Sequence, residues 1–398
     1  MNFDLTDEQI QVRDMVREFA QREVAPYIQQ WDAKGEYHRE VIDKMGEAGF
    51  LGLPIPEAYG GLGLDYVSLA LACDELEYVD TSLRVVLSVH VGLNSLALLQ
   101  WGTEEQKQRW LVPQATGEKI ATFGLTEPGA GSDAGAIATT ATKDGDSYVL
   151  NGNKMWISLA DVADHFLVFA SIDRSLKHKG LTAFVVERGM PGLTTGTIKG
   201  KLGVRAGNTG EIAFDNVRVS VENRIGEEGE GFKIAMSCID QGRFTVAAGA
   251  VGLTRACLDA SVAYANQRQT FGVPIGKHQL VQQMIAKMVL GHETSELLVM
   301  KAAELKNRGI RNTKETSLAK WHACDVALQS ADDAVQIHGS YGFSNEYPVE
   351  RFLRNARGAV IYEGTREVHT ILQAEYALGY RQDKPLSHPQ LPAQGFEE

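Results

Sequence analysis

The pattern that most limits the folds open to this chain is a hydrophobic period that changes twice along its length. Helical spacing runs to about residue 120. Short β-type runs separated by Gly, Asn and Asp turns fill about 121–228, and long helical segments return from 229. In the first region Thr6 is set to cap a helix, with Gln9 closing a capping box. Ile10, Val12, Met15, Val16 and Phe19 follow at near-helical spacing. Pro54, Pro56, Gly60, Gly61 and Gly63 punctuate a loop before a second helical stretch over 66–99. In the second region the runs 135–140, 148–150, 165–170, 181–186 and 211–214 read as strands, with Asn151-Gly152 as a turn. In the third, helices over about 230–267, 276–308, 313–339 and 347–380 predict a bundle, and the tail after Lys384 reads as coil, frayed or docked. The expected fold is α+β and multidomain: an N-terminal helical domain over 1–120, a middle antiparallel β domain over 121–228, and a C-terminal four-helix bundle with a coil tail over 229–398.

Composition excludes several classes. A net charge of −12 leaves no general nucleic-acid footprint. Cys73, Cys238, Cys257 and Cys324 form no CxxC pair and read as buried free thiols, not as disulfides or metal ligands. The acidic, amphipathic start does not resemble a signal peptide, and no window approaches 18 uninterrupted apolar residues, so no membrane span and a cytoplasmic location are expected. Gly129-Ala130-Gly131-Ser132-Asp133-Ala134 matches a dinucleotide fingerprint, but a strand-like run follows where a helix is required. His292-Glu293-Thr294-Ser295-Glu296 lacks the second histidine of a zinc helix, and no serine sits in a GxSxG elbow.

Other motifs invite chemistry. The stretch from Phe123 through Leu125, Thr126, Gly131 and Ser132 combines an aromatic ring, hydroxyls and flexible backbone N–H groups, a set that can line a flat heterocycle or simply form a glycine turn. Trp156 and Ser158 fall on one face of a strand, where the indole suits either a ligand or the core. Arg268 and Gly339 end two long helices and read locally as C-terminal caps. Glu363, in Ile361-Tyr362-Glu363-Gly364-Thr365, is a carboxylate among apolar neighbours, where its pKa rises toward a value useful for proton abstraction. Gly364 beside it permits close approach, although a Glu before a Gly also reads simply as a helix end or a turn.

Five segments in order, LTEPGAGSD at 125–133, NGNKMWIS at 151–158, RQTFG at 268–272, QIHGSYG at 336–342 and IYEGT at 361–365, resemble the acyl-CoA dehydrogenase family of flavoproteins over about residues 3 to 380. The resemblance implies non-covalent FAD, a homotetramer built as a dimer of dimers, and an electron-transferring flavoprotein as acceptor. Phe123, Leu125, Thr126, Gly131, Ser132, Trp156 and Ser158 match flavin-facing positions. Arg268, Thr270, Phe271, Gln336, Gly339 and Ser340 match positions that reach the partner subunit's FAD, with Ser340 standing where the family often has glycine. Thr365 and Glu367 match positions on the adenine side, and Ser132, Asp240, Arg243 and Gly364 match substrate or CoA contacts. Glu363 matches the base that takes the α-proton of the acyl-CoA thioester. In a minority of members the base sits at the place of Gly242 instead, and glycine there points back to Glu363.

The acyl chain stays open. Helical spacing puts Glu77, Arg84 and Ser88 near one face, and glutaryl-CoA dehydrogenases carry the same three residue types at those places. Arg84 could then pair with a distal substrate carboxylate, or it could form an i,i+4 surface pair with Asp80. The surrounding motifs follow short- and medium-chain members. An acyl-CoA oxidase or flavin monooxygenase on this scaffold, or a non-catalytic CoA-binding assembly protein, are the alternatives; Glu363 argues against the monooxygenase and the last.

Overall fold

The computed structural model describes residues 4–385 and 387–396. Its N-terminal region contains α1 (Asp7–Glu23), α2 (Ile28–Lys34), α3 (Arg39–Glu47), α4 (Tyr66–Val79), α5 (Thr81–Val86), α6 (Leu96–Trp101), α7 (Glu104–Gln106) and α8 (Val112–Ala115). The Thr6 hydroxyl accepts from the Gln9 N–H at 3.2 Å and Gln9 Oε1 accepts from the Thr6 N–H at 3.0 Å, the capping box the sequence implies. Asp80, extended at φ −164°, separates α4 from α5, and α5 runs into α6 through a wide π-helical stretch, Leu87–Ser95, buried throughout. Thr81–Trp101 and Gly231–Gln267 are long and apolar enough to cross a membrane, but the apolar window of the first is wholly enclosed by the fold and most of the second is too.

The middle region contains β1 (Ala121–Gly124), β2 (Thr140–Asp144), β3 (Ser147–Ser158), β4 (His165–Ser171), β5 (Leu181–Glu187), β6 (Leu193–Thr197), β7 (Thr209–Ser220) and β8 (Arg224–Ile225), in one sheet ordered β6-β7-β3-β2-β4-β5-β8 with β1 on β4. Its ladders are antiparallel except at β4, which pairs in parallel with β1 and, at Ser171 alone, with β2. The long β2–β3 excursion between β1 and β4 permits the parallel pair. Alternate residues of β4 enter different cores: Leu167 and Phe169 join the large core shared with the helices, while Phe166 and Val168 join a second core on the other face. The run 135–140 is not the strand expected. Ala134–Ala136 forms a short 3-10 turn and β2 begins only at Thr140, so no helix follows the glycine loop and the dinucleotide fingerprint remains a decoy.

The C-terminal region contains α9 (Gly231–Gln267), a small hairpin of β9 (Gln269–Thr270) and β10 (Val273–Pro274), α10 (Gln279–Asn307), α11 (Thr313–His338), α12 (Val349–Ala359) and α13 (Arg366–Ala377). The single helix expected over 347–380 is thus two. The break falls on the Glu363 run, because Glu363 (φ 56°) and Gly364 (φ 95°) adopt left-handed conformations that cannot continue a right-handed helix. Thr365 then caps α13. The four cysteines are free and buried. The tail docks as coil, with Gln100 Nε2 donating to the His388 carbonyl at 2.6 Å and the Ala393 N–H to the Asn307 carbonyl at 2.8 Å.

Candidate active site

The Glu363 turn is built from three helices. The Ile361 and Tyr362 N–H groups both return to the Gly358 carbonyl, ending α12. The carbonyls of the two left-handed residues are each taken by a cation: Arg243 Nε of α9 donates to the Glu363 carbonyl at 3.1 Å, and Lys320 Nζ of α11 donates to the Gly364 carbonyl at 2.8 Å. Among the described residues no backbone carbonyl accepts the Glu363 N–H. The carboxylate itself lies on α9 where Gly242 leaves a gap; a Cβ there would stand 2.8 Å from Glu363 Oε2 and 2.7 Å from Leu93 Cδ2. Burial pushes the Glu363 pKa up to about 7, against the opposing pull of Arg243, Lys320 and Arg84. Gly364 has similarly little room, since a Cβ would meet His369 Nε2 at 3.1 Å and Arg243 Nη2 at 3.2 Å.

Arg84 adjoins this turn. Its Nε donates to Glu77 Oε2 at 2.5 Å, Nη1 to Ser88 Oγ at 3.0 Å and Nη2 to the Tyr362 hydroxyl at 2.7 Å. The Thr81 hydroxyl donates to the other Glu77 oxygen at 2.9 Å, and Ser88 Oγ meets Thr245 Oγ1 at 2.7 Å. Glu77, Arg84 and Ser88 therefore come together despite the break at Asp80. The i,i+4 pair of Arg84 with Asp80 does not form. Asp80 is the extended N-cap of α5, bonding the Ser82 N–H and facing Arg351 and Asn355, while Arg84 is only 1% exposed on the inner face. Asp240 and Arg243 do pair, at 3.2 Å, but Arg243 is buried rather than on a helix surface, and Thr313 Oγ1 donates to the other Asp240 oxygen at 2.6 Å.

A second group forms a ledge on the sheet. The Met155 N–H donates to the Thr126 carbonyl at 2.9 Å and Thr122 Oγ1 to the Ser158 carbonyl at 2.6 Å, so the 122–126 and 155–158 segments lie side by side. Lys154, buried, holds Glu127 at 2.7 Å and the Leu125 carbonyl at 3.2 Å beneath them. A β-bulge between Lys154 and Ile157 turns Trp156 outward at φ 63°, and its indole is 57% exposed, which rules out the core position. Phe123 is half-buried against Phe169, with ring centroids 5.1 Å apart. Leu125 is buried, Gly131 and Ser132 are exposed, and a Cβ at Gly131 would meet nothing within 4 Å. Among the described residues the side-chain hydroxyls of Thr126 and Ser158 take part in no hydrogen bond. An exposed ring, two free hydroxyls and open glycine backbone suit a flat heterocycle with a polar edge.

The third group lies elsewhere. Arg243 and Arg268 stand about 37 Å apart along α9. Tyr264 stacks on His338 at 4.2 Å, so the Arg268-Thr270-Phe271 hairpin and the Gln336-Gly339-Ser340 turn share one far end of the bundle. Phe271 sits in a left-handed turn position, 97% exposed. Thr365 caps α13 beside the Glu363 turn, with Glu367 exposed in its first turn.

Sequence reading missed Tyr362, Thr245, Lys320 and His369. A signal for Lys320 existed: it recurs at helical spacing with Thr316, Ser317, Ala323, Cys324 and Ala327, all on the buried face of α11.

Known proteins align with this arrangement throughout. The chain matches the acyl-CoA dehydrogenase N-terminal domain over residues 6–118, the middle domain over 122–217 and the C-terminal domain over 229–378. It is 44% identical to a short-chain specific acyl-CoA dehydrogenase of Clostridium acetobutylicum, across 94% of this chain and 98% of the other. Among solved structures, it is 45% identical, with a TM-score of 0.93, to a chain from a study of the electron transferring flavoprotein of Acidaminococcus fermentans and flavin-based electron bifurcation, across 95% of this chain and all of that one. A glutaryl-coenzyme A dehydrogenase in complex with glutaryl-CoA is 38% identical at a TM-score of 0.93, across 96% of this chain and 98% of the other. The chain belongs to the acyl-CoA dehydrogenase family of FAD-dependent oxidoreductases.

Proposed function

We propose that this enzyme converts a short, uncharged acyl-CoA thioester to its trans-2-enoyl-CoA, with Glu363 as the base that takes the α-proton. The observation that carries the reading is the Glu363 turn: a carboxylate with its pKa pushed up to about 7, seated against Gly242 and held through two consecutive carbonyls. A thioester α-C–H is weakly acidic, and its removal needs a base ionised near neutral pH together with a donor for the developing enolate oxygen. The Glu363 N–H, free of backbone acceptors among the described residues, is placed on the same residue to serve as that donor. Asp240 and Arg243 flank the same turn, Arg243 bonding both Asp240 and the Glu363 carbonyl. FAD, when bound, supplies the acceptor for the hydride equivalent that leaves the β-carbon. Leu125, Thr126, Gly131, Trp156 and Ser158 would hold its ring, with Phe123 and Ser132 at the edges of the ledge.

The far-end residues Arg268, Thr270, Phe271, Gln336, Gly339 and Ser340 cluster at the end of the bundle about 37 Å along α9 from Arg243 and the Glu363 turn, and we assign them to the FAD of a neighbouring subunit in a homotetramer. Phe271 and Phe343, both almost fully exposed in the single chain, support burial by another copy. The kinship with the chain from the Acidaminococcus study supports an electron-transferring flavoprotein as acceptor.

Arg84 closes the acyl slot instead of receiving a second carboxylate. Three of its five N–H donors already go to Glu77, Ser88 and Tyr362, and the buried pair with Glu77 is already neutral. A distal carboxylate would lose its hydration and add an unbalanced charge. Anaerobic mixing of the FAD-loaded enzyme with a panel of acyl-CoAs tests this. Butyryl-CoA should bleach the flavin fastest and glutaryl-CoA at least about 100-fold more slowly. A glutaryl-CoA rate matching butyryl-CoA would return Arg84 to the role of receiving the distal carboxylate, and rapid oxygen uptake with acyl-CoA alone would make the enzyme an oxidase.

A further inference from the structure

The two cations on the Glu363 turn are not equivalent. Arg243 also reaches Asp240 at 3.2 Å, so its charge has a carboxylate beside it. Lys320 is buried and, among the described residues, forms no ion pair; its one hydrogen bond goes to the Gly364 carbonyl. Burial lowers its pKa, since an ammonium without a counter-ion is poorly tolerated away from water. The charged and titratable groups around the Glu363 carboxylate are Arg243 and Cys238 of α9, Arg84 of α5, Lys320 of α11 and His369 of α13. Arg84 is paired with Glu77 and Arg243 with Asp240, although Arg243 still favours the Glu363 carboxylate more strongly than Lys320 does. His369 stays neutral: burial, then Lys320 and Arg243, press its pKa down to about 3, and its Nδ1 is paired with Ser317 Oγ at 2.8 Å. Lys320 brings a positive charge with no ion-pair partner among the described residues; besides Glu363, Cys324 and more weakly Asp325 of its own helix favour that charge, and Arg243 opposes it.

We propose that Lys320 is a positioning residue for Glu363: its grip on the Gly364 carbonyl holds the left-handed turn that lays the carboxylate against Gly242, and its charge, together with that of Arg243, stabilises the ionised base. This rests on Glu363 being the base. The consequence is read in the pH dependence of kcat/KM, which in the wild type rises with pH and reaches half its plateau near pH 7, because only the carboxylate form accepts the α-proton. Without the Lys320 charge the carboxylate protonates more readily, so the acid limb moves to higher pH.

Three variants of the FAD-loaded enzyme separate the two contributions. Lys320→Arg keeps charge and donor and should leave the limb in place. Lys320→Gln keeps a donor for the Gly364 carbonyl without the charge and should move the limb up by about one pH unit with most of the plateau rate retained. Lys320→Met loses both and should shift the limb and lower the plateau. Infrared titration of the Glu363 carboxyl band, identified by its loss in Glu363→Gln, should move by the same amount. An unshifted limb in Lys320→Gln overturns the proposal whether or not Lys320→Met folds. Loss of flavin bleaching in Glu363→Gln alongside unshifted Lys320 variants would leave the base assignment standing; undiminished bleaching in Glu363→Gln would remove the base assignment itself.

Discussion

Glu363→Gln is expected to give a yellow, FAD-loaded protein whose flavin butyryl-CoA no longer bleaches, with the anaerobic rate down by at least about 10³-fold. Gln has the shape of Glu and fits the gap at Gly242. The Arg243 and Lys320 grips fall on backbone carbonyls that the substitution leaves untouched. Cofactor content and fold should therefore be unchanged, and the removal of a carboxylate from a site that disfavours its charge should not destabilise the protein. Stopped-flow absorbance of the flavin band reads the outcome directly. A variant bleaching within tenfold of the wild type would show that another group removes the proton.

Gly249→Ala should destabilise the bundle by about 3 kcal/mol. A Cβ at 249 would fall inside the van der Waals envelope of Glu77 Oε2 and within 2.9 Å of Arg84 Cγ and Nε. Neither partner can yield cheaply, because Thr81, Ser88 and Tyr362 fix the pair from the other side. Displacing it strands buried charge, a penalty larger than the roughly 1 kcal/mol that Ala gains over Gly in a helix. Two turns earlier on the same face, Gly242→Ala should behave oppositely. There the clash is with the mobile ends of Leu93 and Glu363, so stability changes by no more than about 1 kcal/mol while a misplaced carboxylate lowers the rate about 100-fold. Denaturant midpoints and flavin bleaching measured on both variants distinguish the cases; a wild-type midpoint for Gly249→Ala would mean that Arg84 and Glu77 are loosely held.

Much of this was legible in the chain. The alternation of periods foretold helices, a sheet and helices in order, because burial of one face imposes spacing on any amphipathic element. The capping box at Thr6 was legible for the same local reason. What failed were places where distant partners overrule local pattern. The helical spacing over 347–380 ran through the break; Glu363-Gly364 read locally as a possible helix end, but the left-handed turn there is held open by Arg243 and Lys320 from other helices. Alternation in β3 put Trp156 and Ser158 on one face, and the bulge against β7 turned the indole outward.

By itself the sequence determined the kinds of element, their order and the identity of the acidic residue proposed as the base, since these depend on residue type and short-range spacing. Only the tertiary structure decided what that residue faces. Whether Glu363 lies in water or against Gly242, which groups Arg84 bonds, and whether Lys320 has an ion-pair partner all depend on contacts between α5, α9, α11 and the α12–α13 turn. Charge and burial are properties of the assembled packing, and no spacing along the chain encodes them.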